Sequence, residues 1–284
     1  MNKEIIGVIG AGTMGAGIAQ MFAENGFKTL LWDANHTFLD QGIENIQKRL
    51  DKLVQKEQLT ASEADEIFRR IHKADDLIEF SEVNFVIEAI VENSHVKIDL
   101  YKKLESIVRA ETIIGSNTSS LSITELSSNL ASPERFLGIH FFNPPTKLKL
   151  VELISTPSLS PQVSQKVSEL LNRCGKSAVS VNDSPGFIVN RLLLPFINEA
   201  AKLLDSGVAG AEGIDTAMRL GTLHPAGPLQ VADLIGLDVC NDILEQLAES
   251  LNQPSYSPAK SIVDLVKQGK LGRKTGAGFY EYKT

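Results

Sequence analysis

The beginning of the chain constrains it most. Residues 4–9 (EIIGVI) form a short apolar run, and Gly10-Ala11-Gly12-Thr13-Met14-Gly15 follows at once, matching G-x-G-x-x-G. Residues 16–25 then carry Ile18, Ala19, Phe22 and Ala23 at helical spacing and stop at Gly26. A glycine-rich turn between a strand and a helix is what a dinucleotide needs at its pyrophosphate. Gly10 permits the tight turn, Gly12 lets backbone amides approach the phosphates, and Gly15 lets helix and strand pack closely. The helix N-terminus adds a favourable partial positive charge. The next strand-like run, 28–32, ends at Asp33, near the spacing at which an acid meets the adenosine ribose. A carboxylate there repels a 2′-phosphate, so the expected cofactor is NAD rather than NADP. The plainer reading, a glycine turn in an ordinary βα unit, is disfavoured because strand, helix and acid occur together.

Further apolar runs at 83–89, 112–115 and 136–141 alternate with helical or loop text. That alternation predicts an α/β fold with a Rossmann-type, mostly parallel sheet. Between its second and third strands lies a longer interruption, 36–75, with Ile43, Ile46, Leu50, Leu53 and Val54 at helical spacing and a second segment at 62–71. It reads as an inserted helical hairpin, longer than an ordinary connection. Lys48, Arg49, Lys52 and Lys56 alternate there with Asp40, Glu44 and Asp51, which by charge alone describes a solvated face. Asp183-Ser184-Pro185-Gly186 is turn chemistry, and beyond it the periodicity is almost wholly helical. Helices are expected at 187–204 (kinked by Pro195), 213–219, 229–250 and 260–268, before a glycine-rich tail at 271–282. The expected division is 1–184, the dinucleotide-binding domain, and 185–284, an all-helical domain.

Composition excludes several classes of function. A net charge of −7 argues against nucleic acid or an anionic membrane as the main partner. No apolar run reaches the ~18 residues needed to span a bilayer. Cys174 and Cys240 are the only cysteines, so no disulfide framework and no metal site is expected. The N-terminus runs into strand-like text instead of a secretory signal, and a cytoplasmic protein is the expectation.

Ligands of such sheets sit at the carboxyl ends of the strands. Three polar groups fall there: Glu88 and Glu92, the run 116–120 (SNTSS), and His140 with Asn143. Oxidising an alcohol removes a hydride and a proton. NAD takes the first, and an imidazole, which titrates near neutrality, suits the second. Glu152, on the next apolar segment, can orient that imidazole if its strand lies alongside. A histidine near a strand end is, taken alone, more often a hydrogen-bonded core residue. Ser119 and Asn190 are candidate donors to the substrate oxygen. Taken singly, each is more often a capping serine or a helix-surface asparagine.

At these residues the chain resembles the short-chain L-3-hydroxyacyl-CoA dehydrogenases, in particular the bacterial 3-hydroxybutyryl-CoA dehydrogenases. The likeness runs through VIGAGTMGAGIAQ at 8–20, VIEAIVEN at 86–93, SNTSSLSITE at 116–125, GIHFFNPP at 138–145, KLVELI at 149–154, DSPGFIVNRLLLPFINEA at 183–200, GPLQVADLIGLD at 227–238 and GRKTGAGFY at 272–280. It implies His140 as catalytic base, Glu152 as its partner, and Ser119 and Asn190 at the substrate carbonyl. It implies cofactor contacts from the glycine loop, Asp33, Glu92, Lys97, Asn117, Asn143 and Lys274. It implies an acyl-CoA substrate lying against the hairpin, with Lys52 and Lys56 at its phosphates. The helical domain would complete the substrate site and form a homodimer. The stretches PPTKL at 144–148 and TLHPA at 222–226 depart from the bacterial pattern, outside the named site residues. Two other readings stay open: a dehydrogenase of a small hydroxy acid without CoA, and a non-catalytic cofactor-binding relative.

Overall fold

The computed structural model describes residues 4–282. The chain separates into two compact units that divide between Asp183 and Ser184.

The first unit holds β1 (Ile5–Ile9), α1 (Thr13–Glu24), β2 (Lys28–Trp32), α2 (His36–Gln55), α3 (Ala61–Arg69), β3 (Ile71–Lys73), β4 (Phe85–Glu88), α4 (Ser94–Ile107) and β5 (Ile113–Ser116). It continues through α5 (Ile123–Ser127), β6 (Phe136–Phe141), β7 (Leu150–Ser155), α6 (Pro161–Arg173) and β8 (Ser177–Asn182). The strands form one sheet in the order β3-β2-β1-β4-β5-β6-β7-β8. Neighbours are parallel except β6 and β7, which pair antiparallel. This is the expected Rossmann-type sheet. Its central strands are short β-branched and apolar runs, as suits strands covered on both faces: Ile6, Val8, Ile9 and Leu31 are fully buried. The order reverses between β1 and β4, and a doubly wound sheet opens its ligand crevice at that point.

The helical part of the insertion is α2 and α3. Asn35 caps α2 by accepting from the Thr37 amide, and Leu39, Ile46 and Leu50 form its buried stripe. Thr60 and Glu63 close a capping box at the start of α3. The insertion does not stay helical to 75. Its last residues make β3, which pairs with β2 from Thr29–Ile71 to Leu31–Lys73. Three residues with His72 and Lys73 exposed carry too little alternation to read as a strand. The polar edge strand β8, whose Ser177, Val179, Ser180 and Asn182 are exposed, likewise escapes a hydrophobicity reading, and α6 before it is a further element that the sequence does not announce.

The second unit contains α7 (Val189–Asp205), α8 (Ala211–Thr222), α9 (Pro228–Ile235), α10 (Leu237–Ser250) and α11 (Lys260–Lys267). Leu194, Ile197, Leu229, Leu237, Leu244 and Ile262 centre its core. α7 runs through Pro195 as one continuous helix. The single helix expected over 229–250 is two helices, because Gly236 adopts φ +109° between them. Two buried carboxylates tie down the tail. Asp233 accepts from the Phe279 and Tyr280 amides and the Tyr282 hydroxyl. Asp215 accepts from the Leu229 and Gln230 amides at the start of α9 and from the Tyr280 hydroxyl. No helix among the described residues is long and apolar enough to cross a membrane.

Candidate active site

The glycine loop joins β1 to α1. Gly10 has φ +97°, and a Cβ on it would lie 2.4 Å from the Ala89 carbonyl oxygen. A Cβ on Gly15 would lie 1.7 Å from the Gly10 carbonyl oxygen, so only glycine lets α1 start this close to the turn. Gly12 faces open space on the other side. Ala11 is buried, Thr13 is exposed, and Met14 packs against the core. Asp33, just past β2, accepts the Ala11 amide at 2.8 Å on Oδ2 and the Asn35 amide at 2.9 Å on Oδ1. Gly10, Gly12, Asp33, Phe38, Ile90 and Leu100 line part of a cavity of about 700 Å³. Apolar walls, a carboxylate and the open N-terminus of a twelve-residue helix together suit a dinucleotide: walls for adenine, Asp33 for ribose hydroxyls, amides for the pyrophosphate.

Along the same sheet edge, β4 ends at Glu88 and β5 at Ser116. Lys97, on α4, is 1% exposed, its Nζ 2.6 Å from Glu88 Oε1 and 3.4 Å from Glu92 Oε2. Glu92 Oε1 accepts from Thr118 Oγ1 at 2.5 Å, the Ser119 amide at 3.0 Å and Ser120 Oγ at 2.7 Å. Burial pushes the Glu92 carboxyl up, but the Lys97 ammonium and these hydrogen bonds outweigh it and hold it below the usual range. Glu92 thus anchors the loop that carries Ser119. Asn117 Oδ1 accepts the Phe141 amide at 2.9 Å, linking this loop to the last residue of β6.

His140 and Glu152 stand opposite each other in the antiparallel β6–β7 pair. Twelve positions apart in sequence, they meet with Nδ1 2.7 Å from Oε2, His140 6% and Glu152 1% exposed. The Phe142 ring lies 4.5 Å from the imidazole, centroid to centroid. The connection between the two strands bears the exposed Asn143 and is held by buried Lys176, whose ammonium donates to the Leu148 carbonyl at 2.8 Å and to the Pro145 carbonyl. With Glu152 ionised, Nδ1 carries the hydrogen and donates to it. Nε2 then has the lone pair, and the carboxylate can stabilise an imidazolium.

The other candidates are more scattered. Lys52 and Lys56 are exposed at the end of α2. Lys274 belongs to the second unit, its Nζ 2.5 Å from both oxygens of Asp238. Asn190, also of the second unit, is buried in the first turn of α7. Burial raises the Cys174 thiol to about 11 and the Cys240 thiol to about 12, so neither is a nucleophile at neutral pH. Among the described residues no cluster of His, Cys, Asp or Glu could hold a metal ion. Residue type alone assigns no role to Thr118 and Ser120, which grip Glu92, or to Phe142 beside the imidazole. Their signal is only adjacency to assigned residues.

Residues 5–184 match the family model described as 3-hydroxyacyl-CoA dehydrogenase, NAD binding domain, and residues 186–282 match that of the C-terminal domain. The chain belongs to the 3-hydroxyacyl-CoA dehydrogenase family. Among family members, a Deinococcus radiodurans protein named "Probable 3-hydroxybutyryl-CoA dehydrogenase" is 45% identical over 97% of this chain and 99% of its own length. The 3-hydroxybutyryl-CoA dehydrogenase of Bradyrhizobium diazoefficiens is 42% identical, covering 98% of this chain and 95% of that one. The crystal structure of (S)-3-hydroxybutyryl-CoA dehydrogenase from Ralstonia eutropha superimposes with a TM-score of 0.93 at 40% identity, covering 99% of both chains.

Proposed function

We propose that the chain interconverts a short-chain (S)-3-hydroxyacyl-CoA and the 3-oxoacyl-CoA, using NAD, with His140 as the acid–base group. The observation that carries this reading is the buried His140–Glu152 pair at 2.7 Å, on the sheet edge that also bears the glycine loop, in a chain of this family. NAD, when bound, supplies the acceptor for the hydride leaving C3. The chain's own residues do the rest. Nε2 of His140 takes the hydroxyl proton, Glu152 stabilises the imidazolium that results, and Ser119 donates to the substrate oxygen as charge gathers on it. The glycine loop, Asp33, Asn117 and Asn143 hold the cofactor, with Glu92 and Lys97 setting the loop beside it. Asn190 and Lys274 keep the roles that the family resemblance implies.

The direct test is a steady-state assay with acetoacetyl-CoA and NADH, run beside free acetoacetate and beside NADPH. Turnover of the CoA ester with NADH is expected to dominate; equal turnover of the free acid would rule out the CoA reading. Asp33→Ala should narrow the NADH over NADPH preference by about tenfold or more, since it removes the ribose acceptor and the repulsion of a 2′-phosphate. Undiminished discrimination would refute that contact.

The hairpin lysines provide a separate test of where CoA lies. Replacing Lys52 and Lys56 together by methionine should raise KM for acetoacetyl-CoA about fivefold, with kcat little changed, and added salt should erase the difference. An unaltered KM at low salt would remove both lysines from the CoA site. The exposed Leu192, Leu220 and Leu234 support self-association through the second unit, which sedimentation of the full chain would test.

A further inference from the structure

Three fully buried polar groups at the base of the loop 116–120 have no part in the chemistry above: Glu88, Tyr101 and Ser116. We propose that Glu88 is a positioning residue, which sets this loop and with it Ser119 and Asn117. The inference rests on the functional reading for its kinetic readout only.

Glu88 is the last residue of β4 and is 0% exposed. Its carboxylate is saturated. Oε1 accepts from the Ile90 amide at 2.7 Å and from Lys97 Nζ at 2.6 Å. Oε2 accepts from Ser116 Oγ at 2.8 Å and from the Tyr101 hydroxyl. Its main-chain carbonyl accepts the Asn117 amide at 2.7 Å. Two carboxylates therefore grip one loop, Glu88 at Ser116 and Glu92 at Thr118, Ser119 and Ser120, while the Glu88 main chain holds Asn117.

Lys97 couples the two grips. Its ammonium lies closer to Glu88 than to Glu92, 2.6 against 3.4 Å. Neutralising Glu88 leaves that buried charge with Glu92 as its one remaining carboxylate among the described residues. Closing the 3.4 Å gap then draws Glu92 away from the Ser119 amide. Glu88 thus acts on Ser119 by two routes, through Ser116 and through Lys97 and Glu92. Stability alone does not account for this arrangement, because a buried ion pair roughly breaks even against well-packed apolar side chains. Burial, and then the Glu88 charge, push the Tyr101 hydroxyl well above its ordinary range, which keeps it a donor to Glu88.

The test uses Glu88→Gln, which keeps the shape and removes the charge. The crystal structure of the variant should show the Glu92 carboxylate out of hydrogen-bond reach of the Ser119 amide. Its kcat with acetoacetyl-CoA should fall about tenfold or more, because a displacement near 1 Å at a reacting group can cost up to 10²-fold. Ser116→Ala should cost less in the Glu88→Gln background than in the wild type, since both act on one loop. A loop in its wild-type position, or losses in kcat that simply multiply, would overturn the proposal, as would a lowered Tm with unaltered turnover. Should Glu88→Gln fail to fold, Tyr101→Phe and Ser116→Ala replace it, each deleting one hydroxyl donor to Oε2. Lower kcat in both with the fold intact supports the proposal, and wild-type kcat in both defeats it. A wild-type chain that does not reduce acetoacetyl-CoA would sink the functional reading instead, and the loop position in the variant crystal would still decide this one.

Discussion

His140→Ala should lower kcat for acetoacetyl-CoA reduction by about 10²–10⁴, the usual worth of a positioned acid–base group, with a much smaller change in KM. The imidazole is buried, its Nδ1 is 2.7 Å from Glu152 Oε2, and a strand register holds both residues, so solvent cannot readily substitute for it. Glu152→Gln separates orientation from charge. An amide oxygen can still accept from Nδ1, but it no longer stabilises the imidazolium, so a smaller loss of kcat is expected. Steady-state kinetics of both variants check this. Unimpaired turnover by His140→Ala would remove the imidazole from the mechanism.

Gly15→Ala should damage both folding and cofactor binding. The added Cβ would sit 1.7 Å from the Gly10 carbonyl oxygen, and the clash is with backbone, which cannot swing aside as a side chain can. Overpacking of this kind costs about 1–3 kcal/mol, and the upper end is expected here. At about 2–4 °C per kcal/mol, Tm should drop by roughly 6–12 °C. Moving α1 away to relieve the clash would displace its N-terminal amides from the glycine loop, so NADH affinity, followed by fluorescence titration, should fall as well. Wild-type Tm together with wild-type NADH affinity would show that the turn tolerates a side chain and that its close packing is not required.

The elements of the fold differ in how far the sequence reveals them. β1, the glycine loop and α1 are local: an apolar run, three glycines and a helical stripe lie within residues 5–24. The strand β6 is legible for a similar reason, since all six of its residues are buried. β8 is not, because a polar edge strand takes its place from hydrogen bonds to β7 and not from burial of its own side chains. The break between α9 and α10 turns on one backbone angle at Gly236, within text that reads as continuous helix.

The candidate site divides the same way. Residue types alone established that the chain carries a dinucleotide turn, an acid after the second strand, and a histidine and a glutamate on successive apolar segments. That follows from short-range chemistry: backbone sterics at glycine and the alternation of strand and helix are written in neighbouring residues. Whether His140 meets Glu152 depends on β7 reversing direction beside β6 in a register that places the two opposite, and that register is set by packing over the whole sheet. Tertiary structure alone decided that Lys97 is spent on Glu88 and Glu92, and that Glu88 gathers donors from α4, from β5 and from the turn after its own strand. A buried charge needs partners from several directions at once, and those partners are distant in sequence until the chain has folded.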